Sequence, residues 1–265
     1  MDEKLCGVFD WGQEPYARVL AWQRELVAAR KAGLIPDVLL LGEHTPVITL
    51  GRNAQREHLL LPEAELARRG VEVHETDRGG DVTYHGPGQL VGYPILDLNG
   101  SKKDVVWYVR TLEEVLIRAA REFGLDAARR TAPAGKRQFC TGVWVGEEKL
   151  AAIGVHISRW VTSHGFALNV TTDLRHFDFI VPCGIRGKGV TSLEKQISRL
   201  RPARRGGRDS ASLDPARDKR DDDSLLAGVR AAVVRQFGEV FGREMRPVAA
   251  DEWEAWLGAL EAPAS

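Results

Sequence analysis

The chain has 265 residues, 43% of them apolar, which suits one large domain with a real core or two small ones. Its 37 basic residues balance 37 acidic ones, so no net charge draws it to nucleic acid or to an anionic membrane surface. No apolar run approaches the roughly 20 residues a bilayer crossing needs, and the acidic start MDEKLCGVFDWG lacks the basic and apolar regions of a signal peptide. The expectation is a cytoplasmic protein without a nucleic-acid or membrane partner.

In chain order, residues 15–32 read as an amphipathic helix with Leu20, Leu26 and Val27 at near-helical spacing and Gly33 as its stop. PDVLLLGE and PVITLGR are short apolar runs ended by glycine, hence strands. LPEAELARRG is a short helix closed by Gly70, and residues 71–98 hold two or three strands separated by glycine turns. Residues 102–124 form a second long helix, with Val105, Tyr108, Leu112, Val115 and Leu116 on one side and Gly124 as C-cap. A hairpin follows, with strands at 142–145 and 149–157, then a strand at HGFALNV. Thr191 and Glu194 stand at capping-box spacing for the next helix. Residues 199–223 lose nearly all apolar side chains and crowd both charge signs together, so a flexible linker is expected there. The reading is thus a main domain over 1–198, which the resemblance below makes the catalytic one, a charged linker over 199–223 and a helical extension over 224–265. Strands and helices intermix without strict βαβ alternation, which indicates an α+β domain with a mixed sheet.

Several places can carry chemistry. In RGGDVTYHGPGQL, residues 78–90, the glycine pairs allow close backbone approach, while Arg78, Tyr84, His85 and Gln89 gather polar groups at the turns. Glycine-flanked N–H groups there suit a developing oxyanion, with His85 as a further donor. Lys149 heads a strand face continued by Ala151, Ile153, Val155 and Ile157; partial desolvation of its amine suits proton transfer, although a lysine beside a hairpin turn ordinarily points to water. Ala152 and Gly154 on one strand, and Gly165 and Ala167 on another, leave either a groove for an extended chain or a close packing contact. GIRGKGVTS lacks the Lys-Ser/Thr of a Walker loop, so no ATP phosphate cradle is expected.

The three cysteines, Cys6, Cys140 and Cys183, are odd in number and form no CxxC pair, so they are expected as thiols. Cys183 sits in a turn between Pro182 and Gly184 with Arg186 and Lys188 nearby, which favours the thiolate and makes it the best nucleophile candidate of the three. A zinc site from Cys183, His164 and His85 lacks the close ligand spacing that structural zinc uses, so no metal is expected.

Taken together, TDRGGDVTYHGPGQLVGYPILDL, EEKLAAIG, HGFALNV, VPCGI and GEHTPVITLGRNA resemble the octanoyltransferases of lipoic acid synthesis over about residues 5–198. The resemblance implies a mixed-sheet fold shared with lipoate and biotin protein ligases. It implies octanoyl-acyl carrier protein as donor, with lipoyl domains of 2-oxoacid dehydrogenases and the glycine cleavage H protein as acceptors, and no cofactor. It makes Cys183 the acyl-thioester nucleophile and Lys149 its acid/base partner. Arg78, Gly79, Gly80, Asp81, Val82, Thr83, Tyr84, His85, Ala152, Ile153, Gly154, Gly165, Phe166 and Ala167 are then expected to line the acyl site. The rivals are an ATP-dependent lipoate or biotin ligase on the same fold, an octanoyl amidotransferase, and a non-catalytic module that binds acyl groups or carrier proteins.

Overall fold

A computed structural model describes residues 4–130, 141–181, 189–200 and 215–260. Two sheets organise it. The larger has eight strands: β1 (Leu5–Glu14), β2 (Asp37–His44), β6 (Gln89–Ile95), β7 (Ala127–Ala128), β8 (Val143–Val145), β9 (Glu148–Ser158), β10 (Val161–Asn169) and β11 (Glu244–Pro247), ordered β11-β1-β2-β6-β10-β9-β8-β7. The smaller places β3 (Val47–Leu50) between β4 (Glu72–Glu75) and β5 (Val82–His85). Both sheets are mixed: β1 runs parallel to β2 and β11, β3 runs parallel to β4, and β6, β9 and β10 pair antiparallel. The architecture is the expected α+β class.

Period-2 alternation along the central strands sorts two cores onto the two faces of the large sheet. Leu39, Leu41, Leu90, Phe166 and Leu168 face α3 (Val105–Glu122) and α5 (Pro215–Phe241). Val38, Leu40, Val91, Tyr93 and Ala167 face α1 (Tyr16–Lys31) and α6 (Ala250–Leu257). A third core closes the small sheet around Ile48, Val82 and Tyr84, near α2 (Glu63–Arg68). α3 buries Tyr108, Leu112, Val115 and Leu116 as expected, whereas Val105 in its first turn is exposed, and its Asp104 N-cap accepts from the Trp107 N–H at 3.0 Å. α1 differs from its expected face: Val19, Gln23, Leu26 and Ala29 are buried, whereas Leu20 and Val27 lie at its margin. Among the described residues no helix is long and apolar enough to cross a membrane.

The N-terminal LCGVFDWGQE, to which the sequence reading gave no element, is a ten-residue strand, with Cys6 fully buried. Three expectations need correction. The helix α4 (Leu193–Leu200) is not capped by a Thr191–Glu194 box: Ser192 Oγ accepts the Lys195 N–H at 3.2 Å, and Thr191 Oγ1 instead takes a hydrogen bond from Gln196 at 2.8 Å. The expected C-terminal extension is built into the domain. Val229, Val233 and Phe237 of α5 are fully buried in the α3 core, β11 continues the large sheet beside β1, and Trp253 and Trp256 of α6 close the α1 core. A separate 224–265 segment would leave those apolar faces in water. The expected linker shortens correspondingly, because α4 reaches Leu200 and α5 starts at Pro215; residues 201–214 lie outside the described residues.

This integration makes a stability prediction. Phe237→Ala should lower unfolding stability by about 3–5 kcal/mol in one transition shared by the whole chain, measured by urea denaturation with tryptophan fluorescence. A detachable extension would instead leave the main transition in place.

Candidate active site

A cavity of about 560 Å³ opens where β9 loses its outer neighbour. β8 pairs with β9 only as far as Ala151, so the strand edge from Ala152 onward is covered by another part of the chain. That cover is the Arg78–Gly79–Gly80 segment. Gly79 N–H donates to the Val155 carbonyl at 2.9 Å, and a Cβ on Gly154 would stand 2.8 Å from the Gly79 carbonyl oxygen. The crossing therefore requires glycine at 154. On its other side the segment rests on residues 51–53, whose N–H groups donate to the carbonyls of Asp81, Arg78 and Gly80 at 3.3, 3.0 and 3.1 Å. Gly80 has φ +91°, a conformation that glycine enters without strain.

Most of the expected acyl-site residues meet here. Arg78, Gly79, Gly80, Asp81, Val82, Thr83 and His85 line the cavity, as do Ala152, Ile153, Gly154, Gly165, Phe166, Ala167 and Lys149. The β9–β10 register sets Ala152 opposite Ala167 and Gly154 opposite Gly165, so the small residues form one continuous patch. Ile153 and Phe166, opposite each other on the reverse face, border the same space because the cavity wraps the edge of β9. Gly165 has a packing reason as well: a Cβ there would stand 2.2 Å from the Gly92 carbonyl oxygen on β6. Tyr84 is the exception. It does not line the cavity; its ring is buried in the small-sheet core and stacks on His176 with 4.7 Å between centroids.

The polar groups behind the cavity form a chain of hydrogen bonds with one direction. The Asn169 Nδ2 donates to the Thr191 carbonyl at 3.0 Å, which leaves Asn169 Oδ1 to accept from Gln89 Nε2 at 2.9 Å. Gln89 Nε2 also reaches the Tyr84 carbonyl at 3.1 Å, so its Oε1 faces His85 Nδ1 at 2.7 Å. Both backbone carbonyls can only accept, so both amide orientations are set, and His85 must carry its proton on Nδ1. Its Nε2 is then a lone pair facing Thr49 Oγ1 at 3.4 Å. Thr49 Oγ1 in turn accepts from Arg78 Nε at 3.2 Å and Nη2 at 2.9 Å, and the Thr49 carbonyl accepts from Nη2 at 2.7 Å. His85 therefore has no N–H for the cavity, contrary to its expected use as an oxyanion donor. Its work is to hold Thr49, and through it the guanidinium.

A floor of rings completes the space: Tyr16, Tyr93, His85 and His164 line it, with His44 beneath. His44 Nδ1 meets the Glu14 carbonyl at 3.0 Å, so its Nε2 accepts from Tyr93 Oη at 2.8 Å. Burial holds both imidazoles neutral, lowering His44 to about 4 and His85 to about 3. Burial likewise lowers His164, against the opposing pull of Asp77. At the mouth, Val105 and Val109 of α3 and Thr141 stand near Lys149, whose Nζ lies 5.1 Å from the centroid of the Trp144 ring.

The Lys149 backbone is pinned on both sides: its N–H donates to the Gly189 carbonyl and its carbonyl accepts from Thr191 N–H, each at 2.9 Å. Gly189 is six positions beyond Cys183. Cys183 itself, with Arg186, Lys188 and Cys140, lies outside the described residues. Burial raises the Cys6 thiol far above its ordinary range, which suits an inert core residue. Sequence reasoning passed over Tyr16, His44, Thr49, Tyr93 and Asn169. Thr49 left a signal: it is the one polar side chain in the fully buried strand VITL, where an unpaired hydroxyl is costly.

The model of the lipoyl protein ligase A/B catalytic domain matches residues 15–204. An octanoyltransferase of Acidobacterium capsulatum is 49% identical over 248 residues, covering 88% of this chain and 89% of that protein. One of Solibacter usitatus is 55% identical over 188 residues, covering 71% and 82%. Among solved structures, a lipoate-protein ligase A bound with ATP superposes with a TM-score of 0.68 at 18% identity, covering 97% of this chain and 94% of that one. A putative lipoate protein ligase of Thermoplasma acidophilum gives 0.66 at 18%, covering 97% and 93%. At that identity the likeness speaks to the fold.

The buried neutral histidines set a pH dependence. On unfolding each imidazole returns to an ordinary value near 6.5, so below that pH the unfolded chain binds protons that the folded one refuses. Stability should fall with pH by up to about 1.4 kcal/mol per unit for each histidine, levelling near pH 4 for His44 and near pH 3 for His85. Urea midpoints between pH 7 and 5 measure it, and His85→Gln should flatten the slope; an unchanged slope in that variant would contradict the assignment.

Proposed function

The chain belongs to the lipoyl protein ligase A/B catalytic-domain family and is an octanoyltransferase of lipoate biosynthesis; from that premise we propose that it carries octanoyl from acyl carrier protein to a lysine of lipoyl-accepting proteins through a thioester on Cys183, with Lys149 moving the protons. The observation that carries this reading is the position of Lys149. It opens onto the small-residue cavity, and its own N–H holds the carbonyl of Gly189, which anchors the C-terminal side of the segment bearing Cys183.

In the first half-reaction, Lys149 takes the proton of the Cys183 thiol, and the thiolate attacks the octanoyl carbonyl of the donor thioester. The tetrahedral intermediate collapses, the donor thiolate leaves, and the Lys149 ammonium protonates it. The octanoyl tail lies along Ala152, Gly154, Gly165 and Ala167, ending against the ring floor. In the second half, the acceptor amine attacks the thioester carbon. Lys149 removes the amine proton and returns it to the Cys183 sulfur as the C–S bond breaks. An amide replaces a thioester, so the donor supplies the driving force without ATP.

The acceptors are lipoyl domains of 2-oxoacid dehydrogenases and the glycine cleavage H protein. Arg78 contributes a fixed positive charge to the cavity wall, a suitable surrounding for the developing oxyanion.

The test is to mix the protein with octanoyl-acyl carrier protein and an apo lipoyl domain without ATP or magnesium, and to map the acyl-enzyme by mass spectrometry. Octanoyl mass on the peptide containing Cys183 is expected, with both adduct and product abolished in Cys183→Ala. Lys149→Ala should slow adduct formation by roughly 10²–10⁴-fold, as removal of a general base does. Full turnover by Cys183→Ala, or strict dependence on ATP, would point instead to adenylate chemistry. A second substitution tests the acyl lane: Ala152→Leu should lower turnover of octanoyl donors far more than of acetyl donors, and an equal loss for both would remove the tail from that patch.

A further inference from the structure

Along α3, Val105, Val109 and Glu113 stand four residues apart and so share one face. The two valines border the mouth of the cavity beside Lys149. Glu113 lies one turn further in, is fully buried, and is not among the groups that the reaction uses. Its neighbours Leu112, Val115 and Leu116 are core residues, and a carboxylate among them has lost its hydration.

Both oxygens of Glu113 are engaged. Oε2 faces Arg110 Nη1 at 2.7 Å and Arg129 Nε at 3.3 Å, while Oε1 accepts the Gly142 N–H at 3.0 Å. A buried ion pair adds little stability over apolar side chains of the same size, so the arginines alone do not account for a carboxylate at this place. A charged acceptor does hold an N–H more tightly than a neutral one, and the arginines balance the charge from the other oxygen.

Gly142 is the backbone along which the Lys149 side chain extends. A Cβ there would stand 3.3 Å from Lys149 Cε and 2.4 Å from the Ala151 carbonyl oxygen, and the residue has φ +130°, which glycine enters without strain. Thr141, next to it, lines the cavity. Trp144, the register partner of Lys149 on β8, is 2% exposed and sets its ring near Lys149 Nζ. The lysine arm thus has two neighbours: a buried ring at its Nζ and, at its Cε, a peptide whose N–H Glu113 holds.

We propose that Glu113 is a positioning residue of the acyl transfer: through the Gly142 N–H it fixes the backbone on which the Lys149 side chain rests, and so the place of the amine in the cavity mouth. It touches neither substrate nor reacting atoms. The inference rests on Lys149 moving the protons of the reaction.

The experiment is a double-mutant cycle, read by the rate of octanoyl adduct formation at saturating octanoyl-acyl carrier protein, with the half-saturating donor concentration measured alongside. Glu113→Leu keeps the bulk and removes the acceptor. It should slow adduct formation roughly tenfold to a hundredfold, the effect of displacing a catalytic group by about 1 Å, with half-saturation changed less than about twofold. In the Lys149→Ala protein the same substitution should cost less than about twofold, because a residue acting through the lysine has nothing left to act on. Glu113→Gln, whose carbonyl oxygen still accepts the Gly142 N–H, should recover most of the rate lost in Glu113→Leu. Should Glu113→Leu not fold, Glu113→Asp takes its place: its acceptor is drawn back by one methylene, and a loss of roughly threefold or more is expected, again vanishing beside Lys149→Ala. No loss in Glu113→Leu, a Glu113→Gln protein as slow as the leucine variant, or a raised half-saturation at unchanged rate would overturn the proposal. Full activity of Lys149→Ala alone would overturn the proton-transfer reading and this inference with it. A slow Lys149→Ala protein in which Glu113→Leu still costs its full factor would overturn the inference alone.

Discussion

The structure depends on one directional chain of hydrogen bonds, running from the Arg78 guanidinium through Thr49, His85, Gln89 and Asn169 to the carbonyl of Thr191. It crosses from the small sheet to the large one and ends at the residue whose N–H binds the Lys149 carbonyl. Every link sits in low dielectric, where a satisfied network is rigid and a broken one is expensive. That cost explains why a positive charge and a neutral histidine stay buried side by side. The two ends of the chain are the cation of the cavity wall and the strand that carries the lysine, so the relative placement of both sheets and the geometry of the cavity are a single constraint.

The glycine crossing supplies the other half of the scaffold. Gly79 lies over Gly154, Gly51 lies against Gly80, and a Cβ at Gly51 would stand 2.4 Å from the Gly80 carbonyl oxygen. Small residues thus serve two purposes on the same strands. At Gly154 and Gly165 they admit another backbone, and at Ala152 and Ala167 they leave room along the cavity. Groove and close packing, which seemed to be competing explanations at the level of residue types, divide the positions between them.

Much of this is visible in the residue order because it is local. The apolar run VLLLGE, the glycine pair at 79–80 and the hairpin around Gly146 are set by neighbours in sequence, and each forms where expected. What escapes is set by distant partners. LCGVFDWGQE has weak alternation and becomes a strand because β2 and β11 flank it. Ser192 caps α4 because Thr191 is committed to Gln196 through its side chain and to Lys149 through its backbone. Tyr84, adjacent to cavity residues on both sides, faces away because strand residues alternate. His85 is identified by its glycine surroundings, but its protonation follows from Asn169, 84 positions later, which no local pattern could reveal.

The pairing of β1 with β11 carries a consequence for biosynthesis. Leu5 and Glu244 are register partners, so β1 leaves the ribosome long before the strand that covers its outer edge. Until then its outer edge offers open N–H and C=O groups to any neighbouring strand, and long-range closure of this kind is slow. The nascent chain therefore gains this sheet border only once β11 has been made, which marks the edge as a place where chaperone protection matters.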